Sequence, residues 1–419
     1  MVHRIGILIF IAFVLAIPPA FAGGSIFSPN GVGEELPSGG VRAIGLGGAG
    51  IGLADSMSFH SGNPALIAFT PRTLFRMSGH IGWWGTSADG RHDADAETVW
   101  RDFGLYFPVS SRWSVGIAAN PSRHVDLNTF SQRIAQFNDT NFVHYEMRDV
   151  WQGSTVDLRL ENGVRLCDKV AVGLSVVYTI LNNSSKHTID LDQIVRSSYY
   201  LDAASRQNET FRGWTADVGV HVQPTARLGI GIVYRPRSTG EWTYEFEKSR
   251  SDSIARHERS GGSPGYVKAG ISYRFSPRVV GVMDVQSGQW SSDDLGALAD
   301  VESPGTVVNP LFLSFGVERL PERSAIRSGF TNWGLRSGAF YRKHYWPKRN
   351  GAVVEDVGIT FGLSAPLVAS TAYLHWANEI GFRGLDENKL GAKETFFRTA
   401  LEIEVSEKWF QRTRPRIPK

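Results

Sequence analysis

Residues 170–180 read VAVGLSVVYTI, and they alternate between two kinds of side chain. Val170, Val172, Leu174, Val176, Tyr178 and Ile180 are apolar, whereas most residues between them are small or polar. A period of two predicts a β-strand with one apolar face. The same alternation recurs over residues 214–223, 228–234, 267–275 and 397–405. The chain is therefore predicted to be all-β.

The connections between these segments are of two kinds that alternate along the chain. Short links rich in turn residues lie at 110–111, 167–168, 224–225, 276–277, 321–323 and 366. Longer polar links lie at 85–97, 122–149, 183–208, 238–263, 291–310, 345–352 and 382–393. Seven long and six short links join about 14 antiparallel strands and put all long loops on one side, which is typical of an outer-membrane β-barrel. A secreted two-sheet protein is the alternative.

Composition narrows the class further. The 419 residues are 42% hydrophobic and 20% charged, with 44 basic against 41 acidic residues. Disordered chains carry fewer apolar residues, and a helical membrane bundle needs several apolar runs of about 20 residues. The near-neutral balance also argues against a nucleic-acid partner. Because Cys167 is alone, no disulfide within the chain is expected.

The first residues predict export. Met1–Arg4 is positive, residues 5–17 are apolar, and Ala20-Phe21-Ala22 fits a cleavage site, so residues 1–22 are interpreted as a signal peptide. We expect residues 23–71 to form a separate N-terminal segment, residues 72–410 the barrel, and residues 411–419 a basic tail. An exported barrel of this kind is expected in the bacterial outer membrane.

A barrel in lipid must turn its apolar face outward, because hydrocarbon offers no partner to polar groups. The opposite face then lines a polar lumen. Candidate lumen residues are Asp217, His221, Lys268, Arg274, Asp284, Arg398, Glu402 and Glu404. Candidates for the interfacial aromatic girdles are Trp83, Trp84, Trp113, Trp214, Trp242 and Trp409.

Residues 23–71 do not alternate and are rich in Gly and Ala. The run GLGGAGIGLAD, residues 45–55, formally matches GxGxxG, but no strand precedes it and no suitably spaced acidic residue follows, so a dinucleotide site is not expected. About fifty residues are too few for a stable domain, whereas a fourteen-stranded barrel leaves its interior unfilled. The segment is therefore predicted to be a hatch inside the barrel.

The sequence VRAIGLGGAGIGLAD followed by Asn63-Pro64-Ala65-Leu66, together with the alternating strands, resembles the FadL family of outer-membrane transporters for hydrophobic compounds. Residues 358–363, 379–384 and 394–410 add a resemblance to its Bacteroidetes-type, PorV-like relatives. The resemblance implies a fourteen-stranded barrel, lateral delivery through a wall opening, and a hatch motif at Gly45, Gly47, Gly48, Gly50, Asn63, Pro64 and Ala65. It also implies insertion by the barrel assembly machinery, although the residues after Phe410 depart from the usual terminal aromatic.

The function expected from this resemblance is passage of hydrophobic, long-chain fatty-acid-like molecules across the outer membrane by passive binding and release, with outer-membrane lipid as a further partner. Loops with Trp242, Tyr244 and Phe246 would collect the ligand, an apolar pocket between hatch and wall would hold it, and hatch rearrangement would release it. The alternatives are a non-conducting assembly protein that contacts a secretion partner, and a general porin. No enzyme, cofactor or metal site is expected, because HExxH is absent, the 11 His are scattered without metal-ligand spacing, and Asp217 and His221 are too far apart along a strand for a dyad.

Overall fold

The computed structural model describes residues 23–55, 58–88, 90–136, 142–191, 203–248, 254–291, 294, 307–321, 330–368 and 371–407. The strands are β1 Glu34–Glu35, β2 Thr73–Ala88, β3 Arg91–Pro108, β4 Trp113–Gln136, β5 Phe142–Cys167, β6 Val170–Leu191, β7 Ala203–Val222, β8 Leu228–Arg235, β9 Thr239–Lys248, β10 Ala255–Gly261, β11 Gly265–Ser276, β12 Val279–Gln289, β13 Leu311–Arg319, β14 Gly334–Lys343, β15 Glu355–Val368, β16 Ala372–Arg383 and β17 Ala392–Glu407. Helices are short: α1 Gly40–Ile44, α2 Glu387–Leu390, and 3-10 turns at Ser28–Asn30, Pro64–Phe69 and Phe330–Asn332. Among the described residues, no helix has the length and apolar character to cross a membrane.

The sheet closes on itself. Each wall strand pairs antiparallel with its chain neighbour, and β17 pairs with β2 from Glu407↔Thr73 to Ala392↔Ala88. Strands β8 and β9 are two halves of one wall strand, as are β10 and β11. Strand β1 lies in the interior of the barrel and is not counted. The wall therefore has fourteen strands. Closure gives every wall strand a paired neighbour on both sides, as a spanning sheet requires. The predicted fourteen-stranded all-β barrel is confirmed.

The two faces of the wall are as the alternation predicts. In β6, Ala171 and Val177 are buried toward the lumen, whereas Leu174 is 46% exposed on the outside. Large apolar side chains repeat on the outer face of most strands, among them Ile117, Ile232, Ile271, Phe315 and Phe361. This apolar outer band identifies a wall that faces lipid.

Three of the six girdle candidates are on the outer face: Trp83, Trp113 and Trp214. The prediction is wrong for Trp84 and Trp242, whose side chains are 2% exposed. Trp84 follows Trp83 directly, so the two must point to opposite faces. Trp242 packs against Phe211 inside the barrel with ring centroids 4.8 Å apart, so it is no part of a collecting loop. Trp409 lies outside the described residues.

The long links are shorter than predicted, because pairing continues through most of their residues. Strand β4 runs to Gln136 and β5 begins at Phe142, so most of the predicted link 122–149 is strand. Above the lipid both faces meet water, so side-chain alternation fades while the ladder persists. Pro366 lies inside β15, and the connection from β13 to β14 spans 320–333 instead of a tight turn at 321–323. Long connections still gather at one end, the loop end, and most short ones at the other, the turn end.

The described residues of the segment 23–71, all but 56–57, lie inside the barrel. Glycines on the inner face of the wall let their backbone approach closely. A Cβ at Gly338 of β14 would be 2.4 Å from the Gly47 nitrogen, and one at Gly231 of β8 would be 2.1 Å from the Ile51 oxygen. Gly47 itself has φ +73°, which suits glycine. Only glycine on the wall permits this close backbone approach.

The wall is interrupted between β3 and β4. These strands pair from Pro108↔Ser114 to Phe103↔Ala119 and no further, although each continues for many residues toward the loop end. Arg101 is the extra residue of a bulge in β3. On β4, Pro121 has no N–H to donate and Ser122 forms a second bulge. The ladder stops where both bulges occur.

Candidate functional site

Strand β1 occupies the interruption from inside. Glu34 and Glu35 pair with His124 and Arg123 of β4, and the Leu36 N–H donates to the Ser122 carbonyl at 2.9 Å. Backbone groups that β3 leaves unpaired on β4 are thus satisfied by the N-terminal segment. The interruption is closed by residues that belong to no wall strand.

A cavity lies directly beside this interruption. It has an empty volume of about 1200 Å³, including solvent at its mouth, and it lies between residues 35–40 and the lumen wall. Its cationic lining residues are Arg101, Arg123, Arg159, Arg235, Lys268, Arg342 and Lys343, against the carboxylates Glu35, Asp102 and Asp157. The expected apolar pocket is therefore a mixed one, in which these charged groups lie beside Leu36, Leu311 and Phe312.

Three of these cations donate hydrogen bonds only to neutral groups within the described ranges, although Glu35 lies in the same cavity and opposite Arg123 in the ladder. Lys268 Nζ donates to Ser38 Oγ at 2.9 Å, Arg123 to Ser263 Oγ at 3.3 Å, and Arg101 to the Pro37 carbonyl. Each is less than a tenth exposed. Buried cations without a carboxylate favour an anion beside them.

The other arginines of the lumen are neutralised by networks. Asp217 receives Arg235 Nη2 at 2.9 Å and Arg159 Nη1 at 2.7 Å. Glu34 accepts from Arg398 Nη2 at 2.6 Å, and Arg398 also reaches Glu379 at 3.1 Å. Burial works to raise the pKa of Glu34, but Arg383 and Arg398 lower it well below its ordinary value, so Glu34 stays charged.

A second cavity opens at the turn end. Its empty volume is about 1360 Å³, again including open solvent, and its lining includes Arg42, Asp55, Arg274, Tyr373 and His375. Helix α1 and residues 58–62 stand between the two cavities, since Gly39 and Gly40 line the first and Arg42 and Ser58 the second. Passage between them therefore requires this partition to move.

Arg42 and His60 hold the partition. Arg42 Nη2 bonds Glu318 of β13 at 2.7 Å and Asp55 at 2.9 Å. Burial works to lower the pKa of Arg42, but Glu318 and Asp55 raise it above its ordinary value. His60 Nδ1 accepts from the Gly62 N–H at 3.0 Å, and burial, with Lys268 nearby, lowers the pKa of His60 to about 3. His60 is thus neutral.

The motif residues of the N-terminal segment either contact the wall or stabilise the turns of the segment itself. The Gly47 N–H donates to Thr360 Oγ1 at 2.9 Å, and the Gly50 N–H donates to Asp284 Oδ2 at 2.7 Å. Gly45 and Gly48 approach Gly362 and Phe312 of the wall. Asn63 caps the 3-10 turn that begins at Pro64 by accepting from the Ala65 N–H at 3.0 Å.

The predicted lumen residues are buried on the inner face, except Arg274, which is half-buried at the turn end. They form no single cluster. His221 packs edge-on against Phe69 at 5.2 Å, while Asp217 is bound by arginines, so the two residues form no dyad in the described part of the chain. The sequence missed the β3–β4 interruption, for which Asn120-Pro121 inside a strand pattern was the available signal.

The structure also joins three residues that no sequence spacing connects: His375 of β16 with Glu402 and Glu404 of β17. His375 and Glu402 are direct partners in the β16–β17 register. Because the register depends on pairing across the sheet, the sequence alone predicted no metal ligands here.

Closed pairing, an apolar outer band and an internally packed N-terminal segment define an outer-membrane β-barrel of the FadL-like fold. The protein is accordingly placed in the bacterial outer membrane. A family model named BamG matches residues 1–261 and 264–415, so the chain belongs to the BamG family. No curated protein matches the chain.

Solved structures with this fold share little sequence with it. A Pseudomonas aeruginosa FadL homologue has a TM-score of 0.61 at 13% identity and covers 90% of this chain and 100% of its own. The CymD monoaromatic hydrocarbon channel has a TM-score of 0.59 at 15% identity, covering 90% and 100%. The P. putida toluene transporter TodX has a TM-score of 0.58 at 12% identity, covering 89% and 100%. CymD is a channel and TodX a transporter, and at these identities the likeness to them establishes the fold of this chain.

Proposed function

We propose that this barrel is a passive outer-membrane channel for hydrophobic small molecules that carry an anionic end, such as long-chain fatty acids. The observation that carries the proposal is the interruption between β3 and β4 beside an internal cavity lined by cations. The interruption provides a lateral exit, and the cavity provides a holding site.

The chemistry of the two sides fits one amphipathic ligand. Inside, Arg101, Arg123 and Lys268 are available to a carboxylate. Outside, Trp100, Phe103 and Ile117 beside the interruption are 43%, 39% and 51% exposed, so hydrocarbon reaches this level of the wall. An alkyl chain leaving through the interruption would meet lipid while its charged end remains with the arginines.

The N-terminal segment acts as the hatch in this proposal. Displacement of β1 from β4 would open the lateral route, and displacement of α1 would join the two cavities. Two proteins of similar fold, the monoaromatic hydrocarbon channel CymD and the toluene transporter TodX, support a hydrophobic cargo. The proposal that the cargo has an anionic end rests on the cations that line the cavity of this chain.

Ligand binding tests the proposal directly. Native mass spectrometry of the barrel in detergent should show one palmitate per chain, and hexadecanol of equal length should bind at least tenfold more weakly. Lys268→Gln and Arg123→Gln should each weaken the affinity for palmitate about tenfold. Arg256→Gln, on the exposed face of β10, should leave the affinity unchanged. Equal binding of acid and alcohol would refute the anionic end, and binding of neither would refute the channel.

A second candidate is a non-conducting assembly or secretion-partner protein, as in the PorV-like expectation. The match to the BamG family favours it, because that family name suggests a link to barrel assembly. Gentle extraction would then yield a stoichiometric protein partner and no lipid. A general porin is disfavoured, because α1 and residues 58–62 separate the two cavities.

A further inference from the structure

Three buried side chains converge near the turn end of the lumen. His375, Glu402 and Glu404 are 4%, 1% and 2% exposed. Each offers one ligand atom, and these atoms lie within 4.8 Å of one another. Strand geometry explains the convergence, since Glu402 faces His375 across the ladder and Glu404 lies two residues further on the same face.

Each of these side chains has one atom without a hydrogen-bond partner among the described residues: His375 Nε2, Glu402 Oε1 and Glu404 Oε2. His375 Nε2 lies 3.9 Å from the other Glu404 oxygen, Oε1. The opposite atoms of two of these side chains are held. Ser364 Oγ bonds His375 Nδ1, and the Val41 N–H donates to Glu402 Oε2 at 3.0 Å. Held on one side and unpaired on the other, these groups are arranged as metal-ligating side chains usually are.

The charges around these three side chains also favour a bound cation. The nearby guanidinium groups each face other carboxylates: Arg76 pairs with Asp102 at 2.9 Å, Arg42 with Glu318 and Asp55, and Arg336 with Glu318 at 2.8 Å. Among the described residues, no ion pair joins Glu402 or Glu404 to a guanidinium group or a lysine. Buried carboxylates persist when a cation neutralises them.

We propose that His375, Glu402 and Glu404 bind a divalent transition-metal ion, for which Zn²⁺ is the model occupant. An imidazole nitrogen with two carboxylates suits Zn²⁺ and its neighbours, whereas Ca²⁺ and Mg²⁺ prefer oxygen ligands alone. Tetrahedral donors on Zn²⁺ lie roughly 3.4 Å apart at bonds of about 2.1 Å, so small side-chain rotations would close the site. The fourth position faces the turn-end cavity, which His375 and Glu404 line.

The ion would also act on the N-terminal segment. Glu402 accepts from Val41 of α1 through one oxygen and offers the other to the ion, so metal binding would fix the carboxylate that holds α1. This inference rests on the ligand cluster and is independent of the proposed transport function.

Metal binding to the full barrel in detergent tests it. After removal of metal with EDTA, the protein is titrated with Zn²⁺ by isothermal calorimetry, and bound zinc is counted by mass spectrometry of the metal. We expect one Zn²⁺ per chain. Glu404→Gln and His375→Gln should weaken binding at least tenfold, and Ser364→Ala, which frees the imidazole, about tenfold.

The matched control is His221→Gln, which removes another buried, lumen-facing imidazole that belongs to no such ligand cluster among the described residues. It should bind Zn²⁺ like the unaltered chain. Heat-modifiable migration on gels verifies that each variant is folded, and a variant that fails this check is replaced by Glu402→Gln. The absence of stoichiometric zinc in the unaltered barrel, or equal loss in the His221 control, would overturn the assignment.

Discussion

The Arg383 guanidinium donates to both carboxylate oxygens of Glu34, with Nη2–Oε1 at 2.7 Å and Nη1–Oε2 at 3.1 Å. Arg383 belongs to β16, whereas Glu34 belongs to β1, which pairs with β4. The pair therefore fastens the residues that close the wall interruption to a distant part of the barrel. Both side chains are buried, so the pair is shielded from water.

Removing the charge of Glu34 should destabilise the barrel. Glu34→Gln leaves Arg383 and Arg398 with less compensation in a buried site, and the free energy of unfolding should fall by about 3 kcal/mol. Urea unfolding in detergent micelles measures this. Glu35→Gln, at the next residue on the half-buried cavity lining, should change it by less than about 1 kcal/mol. Equal effects of the two substitutions would refute the assigned role of Glu34.

A methyl group at Gly338 should displace the N-terminal segment. Gly338→Ala would place its Cβ 2.4 Å from the Gly47 nitrogen, which backbone movement must relieve at a cost of roughly 1–3 kcal/mol. We expect higher ion conductance in planar bilayers, because the N-terminal segment can no longer pack against the inner face of the wall. Gly79→Ala, whose Cβ would meet its nearest atom at 3.4 Å, is the control. Unchanged conductance in Gly338→Ala would show that the contact is dispensable.

Locking β1 to β4 should stop transport. Glu35 and Arg123 are direct partners, so Glu35→Cys with Arg123→Cys, in a Cys167→Ser background, can form a disulfide across the interruption. Uptake of palmitate into proteoliposomes should be lost on oxidation and return on reduction of the same sample. The reduced double variant thus serves as its own reference for the loss of Arg123. Uptake that persists in the fully oxidised form would exclude this lateral route.

His60 should make stability depend on pH. Burial lowers its pKa in the folded chain to about 3, from an ordinary value of 6.5, so the unfolded chain binds the proton more readily. Stability is therefore lost progressively as the pH falls below 6.5 toward 3. His60→Gln should reduce the drop in melting temperature between pH 7 and pH 4.5, and the exposed His257→Gln should not. An identical drop in all three proteins would contradict the buried, neutral state of His60.

Much of the wall was predictable because a barrel imposes its period on the sequence. Val172 and Leu174 point to lipid and Ala171 and Ser175 to the lumen for a local reason: successive strand side chains face opposite ways. The same rule predicted the inner position of Asp217 and Glu402. It failed for Trp84 and Trp242, where aromatic type was given more weight than strand parity.

Side-chain alternation thus determined the lipid-facing side by itself, and the alternation of short and long links determined the strand count and the two unlike ends, since these depend only on order along the chain. Tertiary structure alone decided where the wall opens, which cations remain unpaired, and that His375 meets Glu402 and Glu404. These features depend on register between strands and on how residues 23–71 pack inside the closed barrel. The sequence pattern carries no information about which residues face one another across a ladder or a lumen.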